Sequence, residues 1–298
     1  MLPDQCFLCG SANTVVLPYL RLNSRSLSRN LAYALPVSVG RAFAALSKRF
    51  RSAYSTVAVN KTYFDRQAVF CRDCRTGACR PFFTREQLDQ YYRAFYWENR
   101  AQLEGHHVPQ DDRPNQRQLD WVQDRLAWIT RHIPLQGTVL DFGAGDCAAG
   151  YVLGQQGLAV HVVDPSADSE RLAHRYGLAY SSALEDAPAV DLVYSAQSIE
   201  HVHDLVPAFQ DLMDRVKPGG HAFFETPNVA DPDVFRHLVL TPHTFMLSTR
   251  TMQALAGRVG ATVIAMETVG PAWSMSHPRI TSPERTDVRV LLRKDSAG

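Results

Sequence analysis

Residues 139–150 read Val-Leu-Asp-Phe-Gly-Ala-Gly-Asp-Cys-Ala-Ala-Gly. A short apolar strand runs into Asp141, a turn carries Gly143 and Gly145, and a helix-like stretch follows. Beyond it a second apolar run, residues 159–163, ends in Asp164. Strand, glycine turn, helix, strand and acid in this order form a nucleotide-binding βαβ unit. The glycines let the backbone approach a ligand, and the acid after the second strand accepts hydrogen bonds from ribose hydroxyls. Such a unit requires neighbouring parallel strands, so it constrains the fold of all that follows.

Two ligand classes compete for this turn. A dinucleotide would place a pyrophosphate on the helix N-terminus, where nearby acids repel it. The third glycine of that fingerprint is also missing, because Cys147 and Ala148 occupy its region. Asp141 and Asp146 flank the turn. Two acids suit a ligand that ends in a sulfonium and an ammonium group, so electrostatics favours S-adenosylmethionine (SAM).

The downstream order agrees. Residues 191–204 read Asp-Leu-Val-Tyr-Ser-Ala-Gln-Ser-Ile-Glu-His-Val-His-Asp, and Lys217-Pro-Gly-Gly220 opens a further apolar run. Over about residues 117–293 the chain resembles the class I SAM-dependent methyltransferase family. Asp141-Phe-Gly-Ala-Gly145 matches its glycine-rich loop, Asp164 its ribose-binding acid, and 195–204 the segment after the fourth strand. The resemblance implies a cofactor site of Asp141, Gly143, Ala144, Gly145, Asp164, Pro165, Ala183, Leu184, Ala196 and Gln197, with the adenine beside Ala183 and Leu184. Cys147 departs from the family, which usually has glycine there.

Strands are expected near 138–142, 159–163, 178–182, 190–195, 220–225, 261–267 and 287–292, with helices between most of them and one at 117–132. Such alternation predicts an α/β fold with a mainly parallel, Rossmann-like, seven-stranded sheet covered on both faces. A hydrophobic fraction of 45% over 298 residues supports a sizeable core. A net charge of +1 makes no global case for nucleic acid. No apolar run reaches the length of a membrane span. Asp4 and Cys6 stand where a signal peptide would be basic and then apolar, so a cytoplasmic protein is expected.

Four of the six cysteines form two Cys-x-x-Cys pairs, Cys6/Cys9 and Cys71/Cys74. Two such knuckles complete a tetrahedral Zn²⁺ site, and four thiolates leave no open position, so the zinc is expected to be structural. The pairs lie farther apart than in a compact zinc ribbon, and unligated thiols or redox chemistry are the competing readings. A zinc knuckle ahead of a methyltransferase domain resembles a bacterial group of small-molecule methyltransferases. Members of that group act on nucleotide-linked sugars, glycans or secondary metabolites. In it an aromatic segment follows the second pair, and Tyr91, Tyr92, Phe95, Tyr96 and Trp97 fit that place. Residues 1–103 are expected to form this zinc-binding and lid module and 117–298 the methyltransferase domain, with 104–116 as linker.

Between the pairs, residues 21–61 hold eight basic residues and no acid. Val39, Phe43, Leu46 and Phe50 fall on one helical face, with Arg41, Lys48 and Arg51 roughly opposite. A basic amphipathic helix can dock on its own protein, hold an anionic or lipid-linked substrate, or meet a membrane.

SAM chemistry needs an attacking atom and, for an oxygen or carbon acceptor, a base. His201 and His243 are the candidates. Glu225, Thr226 and Asn228 are further candidates for acceptor contact. The expected reaction is methyl transfer to an oxygen or carbon of a small molecule, sugar or glycan precursor. The alternatives are a nucleic-acid or protein methyltransferase gripping through 21–61, and a non-catalytic scaffold. The Asn/Asp-Pro-Pro-aromatic motif of nucleic-acid amino-methyltransferases is missing after Ser195, and a scaffold would lose the cofactor acids, which are present here.

Overall fold

The computed structural model describes residues 5–17, 67–80, 82–94, 113–232, 234, 243–276 and 280–295. The basic stretch 21–61, the aromatics Phe95, Tyr96 and Trp97, and most of the 104–116 linker lie outside the described residues.

Seven strands form the main sheet: β4 (Thr138–Phe142), β5 (Ala159–Val163), β6 (Ala179–Ser181), β7 (Val190–Ala196), β8 (Val216–Pro227), β10 (Ala261–Ala272) and β11 (Arg285–Lys294). Their order is β10-β11-β8-β7-β4-β5-β6. The pairs among β4 to β8 are parallel, while β11 runs antiparallel between β8 and β10. The chain leaves β4 through α3 (Ala148–Gln155), β5 and α4 (Ala167–Arg175) toward β6, then returns to place β7 on the other side of β4. The strand order reverses between β4 and β7, and ligands of such sheets bind outside the strand carboxyl ends at this point.

Burial on both faces explains the near-continuous apolar runs of the central strands. Leu140, Val162, Val193, Phe223 and Phe224 are fully buried. Helix α2 (Gln116–Thr130) starts at Asn115, whose side chain accepts the Gln118 amide, and buries Val122, Leu126, Trp128 and Ile129. Helix α5 (Leu205–Arg215) buries Leu205, Phe209, Leu212 and Met213.

A second, four-stranded sheet has the order β1-β2-β3-β9. Strands β1 (Thr14–Leu17), β2 (Gln67–Cys71) and β3 (Gly77–Arg80) come from the cysteine segment, but β9 (Phe245–Met246) comes from beyond β8. The rings of Phe7, Phe82 and Phe245 meet at centroid distances of 5.2–5.4 Å. Cys6, Leu8 and Cys71 share one apolar core with Phe224, Phe245 and Met252. The cysteine segment is therefore packed onto the large sheet instead of forming a core of its own.

Helix α1 (Arg85–Ala94) follows β3. The Thr84 hydroxyl accepts the Gln87 amide and the Gln87 side chain accepts the Thr84 amide, which makes a reciprocal cap. Among the described residues no helix is long and apolar enough to cross a membrane.

Candidate active site and cysteine cluster

The glycine turn is pinned to the neighbouring strand, since the Gly143 amide donates to Val163 O at 2.8 Å. Gly143 and Gly145 have φ of +69° and +54°. Cys147, which caps α3, also has positive φ, +58°. That conformation costs an L-residue roughly 1–2 kcal/mol, which accounts for glycine at this place in the family that the turn resembles. Its sulfur is buried and lies 3.4 Å from Ser169 O.

Asp164, at the end of β5, accepts the Gly145 amide on one oxygen and the Ser166 amide on the other, both at 2.9 Å. A carboxylate has about four acceptor sites, so lone pairs remain for a ligand. Burial raises its pKa, and these amides oppose the rise. Asp141 lies beneath the loop, 2% exposed, and accepts the Gly150 amide at 3.0 Å in the first turn of α3. Burial pushes its pKa up to about 7.

These groups border a cavity of about 230 Å³. Gly143, Gly145, Asp164, Pro165, Ala183, Leu184 and Gln197 line it, while Asp141, Ala144 and Ala196 do not. Asp141 instead holds the α3 backbone through the Gly150 amide. Gln197 holds φ of +57°, with its amide on Glu225 O at 2.7 Å and its side chain on Asp287 at 2.8 Å. Ser198 next to it donates to Gly143 O at 3.0 Å, joining the glycine turn to the segment after β7.

His201 lines the same cavity. Its Nε2 is 3.7 Å from Glu200 Oε1, and its ring lies 4.7 Å from the His243 ring and 6.0 Å from the Tyr92 ring. The structure thus brings both candidate histidines together, with His201 facing the cavity and His243 outside its lining. Desolvation, followed by the neighbouring His201, lowers the His243 pKa well below the ordinary value. Glu200 is 1% exposed and accepts the Thr226 hydroxyl at 3.1 Å. Burial pushes its pKa up to about 8.

The expectation for Glu225, Thr226 and Asn228 is corrected. All three are buried and none lines the cavity. Glu225 is held by Arg125 at 2.6 Å and Arg289 at 2.6 Å, and Arg289 also meets Asp124. A strand residue flanked by two buried arginines serves the sheet and α2 instead of a substrate. Conversely, Arg85, Leu88, Asp89 and Tyr92 of α1 line the cavity. Only Tyr92 stands out in the sequence, as one of the aromatics. The spacing i, i+3, i+4, i+7 is the signal that marks all four as one helical face.

The sulfurs of Cys6, Cys9, Cys71 and Cys74 lie within 4.8 Å of one another. Cys6 and Cys74 are 3.5 Å apart, and Cys9 and Cys71 3.6 Å. Zn–S bonds of about 2.3 Å at tetrahedral angles give edges of about 3.8 Å, so the four thiols fit one Zn²⁺.

A family model described as "Methyltransferase domain" matches residues 112–281. A protein of Paracidovorax citrulli (strain AAC00-1) named ubiquinone biosynthesis O-methyltransferase is 32% identical over 118 residues, 35% of this chain and 50% of that protein. The protein of that name from Bordetella avium (strain 197N) is 28% identical over 169 residues, 51% of this chain and 66% of that protein. The chain thus spans about half the length of the first of these relatives. A crystal structure of an S-adenosylmethionine dependent methyltransferase from Mesorhizobium loti is 19% identical, covers 59% of this chain and 100% of that one, and has a TM-score of 0.46. With its domain match covering more than half of the residues and its sheet in the order β10-β11-β8-β7-β4-β5-β6, the chain belongs to the class I SAM-dependent methyltransferase family.

Proposed function

We propose that this protein transfers a methyl group from SAM to an oxygen or carbon of a small molecule, with sugars and glycan precursors among the candidate acceptors. The observation that carries the reading is one cavity bordered by Gly143, Gly145 and Asp164 on one side and by His201 on the other. SAM, when bound, supplies an electrophilic methyl. Asp164 holds the ribose hydroxyls, the glycine turn admits the cofactor to the backbone, and Ala183 and Leu184 flank the adenine. Leu88 and Tyr92 exclude water from above.

The base role falls to His201. Its ring faces the cavity, and an imidazole is the side chain suited to accept a proton in general-base chemistry. His243 is held too acidic for that role and instead fixes the orientation of His201. Glu200, largely protonated near neutral pH, completes the cluster. The name of the curated relatives, ubiquinone biosynthesis O-methyltransferase, supports oxygen as the acceptor atom. The cysteine cluster is read as a structural Zn²⁺ site.

The reading is tested by titrating SAM into the protein and its Asp164→Ala variant, and by screening small hydroxylated acceptors for S-adenosylhomocysteine formation. The variant is expected to bind SAM at least about tenfold more weakly, the size of a lost charge-assisted hydrogen bond. Equal affinity would remove Asp164 from the cofactor site. Elemental analysis of protein purified without added metal should find one Zn²⁺ per chain.

A further inference from the structure

The histidine pair is not held together by the methyltransferase sheet alone. Strand β9 is two residues long and pairs with β3, Gly77 against Met246 and Ala78 against Phe245. The ladder continues one step toward His243: the Cys79 amide donates to Thr244 O at 3.1 Å, and the Cys79 sulfur lies 3.9 Å from His243 O. On its other side Thr244 donates its amide to Glu200 O at 2.9 Å. The backbone at 243–244 is thus clamped between β3, which leaves the Cys71/Cys74 knuckle, and the turn that carries Glu200 and His201.

The knuckle also grips the segment after β9. Helix α6 (Thr249–Arg258) starts at Ser248 in a reciprocal cap with Thr251. The Thr251 hydroxyl contacts the Cys74 and Arg75 carbonyls at 3.3 and 3.2 Å and the Thr76 hydroxyl at 2.9 Å. Two arginines of α6 add to this grip: Arg250 donates to Asp73 O at 3.2 Å and Arg258 to Leu8 O. Both halves of the cysteine site therefore hold the span 244–258, while none of these contacts reaches the glycine turn or Asp164.

We propose that the four-cysteine knuckle is a positioning element for the histidine pair: a metal bound to Cys6, Cys9, Cys71 and Cys74 fixes β3, which holds β9 and so sets His243 against His201. The inference rests on the zinc reading. Metal loss then frees 243–246 and disturbs the histidine pair, and leaves the cofactor half of the cavity intact. A zinc that only stabilised the fold would affect both halves alike.

Hydrogen exchange on the whole 298-residue chain tests this, with metal content measured in parallel. Chelation should speed exchange at the Cys79 and Thr244 amides by about tenfold or more, and leave Leu140 and Val162 in the central sheet unchanged. SAM affinity by calorimetry should stay within about twofold, and the imidazole proton signals of His201 and His243 should shift. Protein that arrives with metal but keeps the Cys79 and Thr244 protection and the same histidine signals after chelation overturns the coupling and leaves the zinc reading standing. Protein that arrives without metal, and binds none when Zn²⁺ is added, overturns the zinc reading itself. If chelation also opens the central sheet, Thr251→Val decides, since it keeps all four thiols. Faster exchange at Thr244 and shifted histidine signals support the coupling, and unchanged values overturn it.

Discussion

A Cβ built on Gly143 would lie 2.3 Å from Ser198 Oγ and 2.4 Å from Ser198 Cβ. The turn after β4 and the segment after β7 thus meet at a point where only glycine fits, and the φ of +69° adds strain for any other residue. Gly143→Ala is expected to push the two segments apart at the cofactor side of the cavity. Calorimetry should show SAM affinity lowered by about tenfold or more, with a stability loss of roughly 1–3 kcal/mol in chemical denaturation. An unchanged affinity would show that the turn yields without moving the cofactor groups.

The glycine-turn side of the cavity was legible in the sequence because it is local. Gly143, Gly145 and Asp164 sit at strand ends whose positions follow from short apolar runs, and all seven strands of the main sheet fall where those runs lie. The strand-pair partner of β3 was not legible. Phe245 and Met246 form a two-residue strand that no periodicity can mark, and its pairing spans more than 160 residues of sequence. Glu225 misled for a related reason. At a strand end an acid looks like a ligand group, and nothing nearby in sequence reveals that Arg125 and Arg289 already hold it.

That arrangement carries a stability prediction. Arg125 and Arg289 have side chains 12% and 8% exposed, and Glu225 is the carboxylate between them. Removing one partner of a buried ion pair leaves the other charges without compensation and costs about 3–5 kcal/mol. Glu225→Ala is expected to lose stability of that order in urea unfolding. A loss below about 1 kcal/mol, the range of an exposed ion pair, would mean that water reaches the arginines.

Glu200 gives a pH signature. Its folded-state pKa is raised from 4.5 to about 8, chiefly by burial. The folded state therefore holds a proton that the unfolded chain releases above pH 4.5. Stability from this group is fully present below 4.5 and is lost as pH rises toward about 8. Unfolding free energies measured across that window should fall with pH more steeply in the wild type than in Glu200→Gln, which cannot titrate. Parallel curves for the two proteins would show that Glu200 is ionised in the folded state.

The two histidines should separate kinetically. His201 lines the cavity, whereas His243 lies outside its lining with a pKa well below the ordinary value. A base must be unprotonated to act, so whichever histidine is the base should give the rate a fall at low pH. His201→Ala should lower kcat by roughly 10²–10⁴ and abolish that acid limb, with SAM affinity little changed. His243→Ala should lower kcat by a smaller factor and keep the limb, because it removes a neighbour that orients the base and not the base itself. Once an acceptor is identified, pH–rate profiles of both variants decide the assignment. An acid limb that survives in His201→Ala and vanishes in His243→Ala would exchange their roles. Full activity in both would leave transfer to depend on positioning alone.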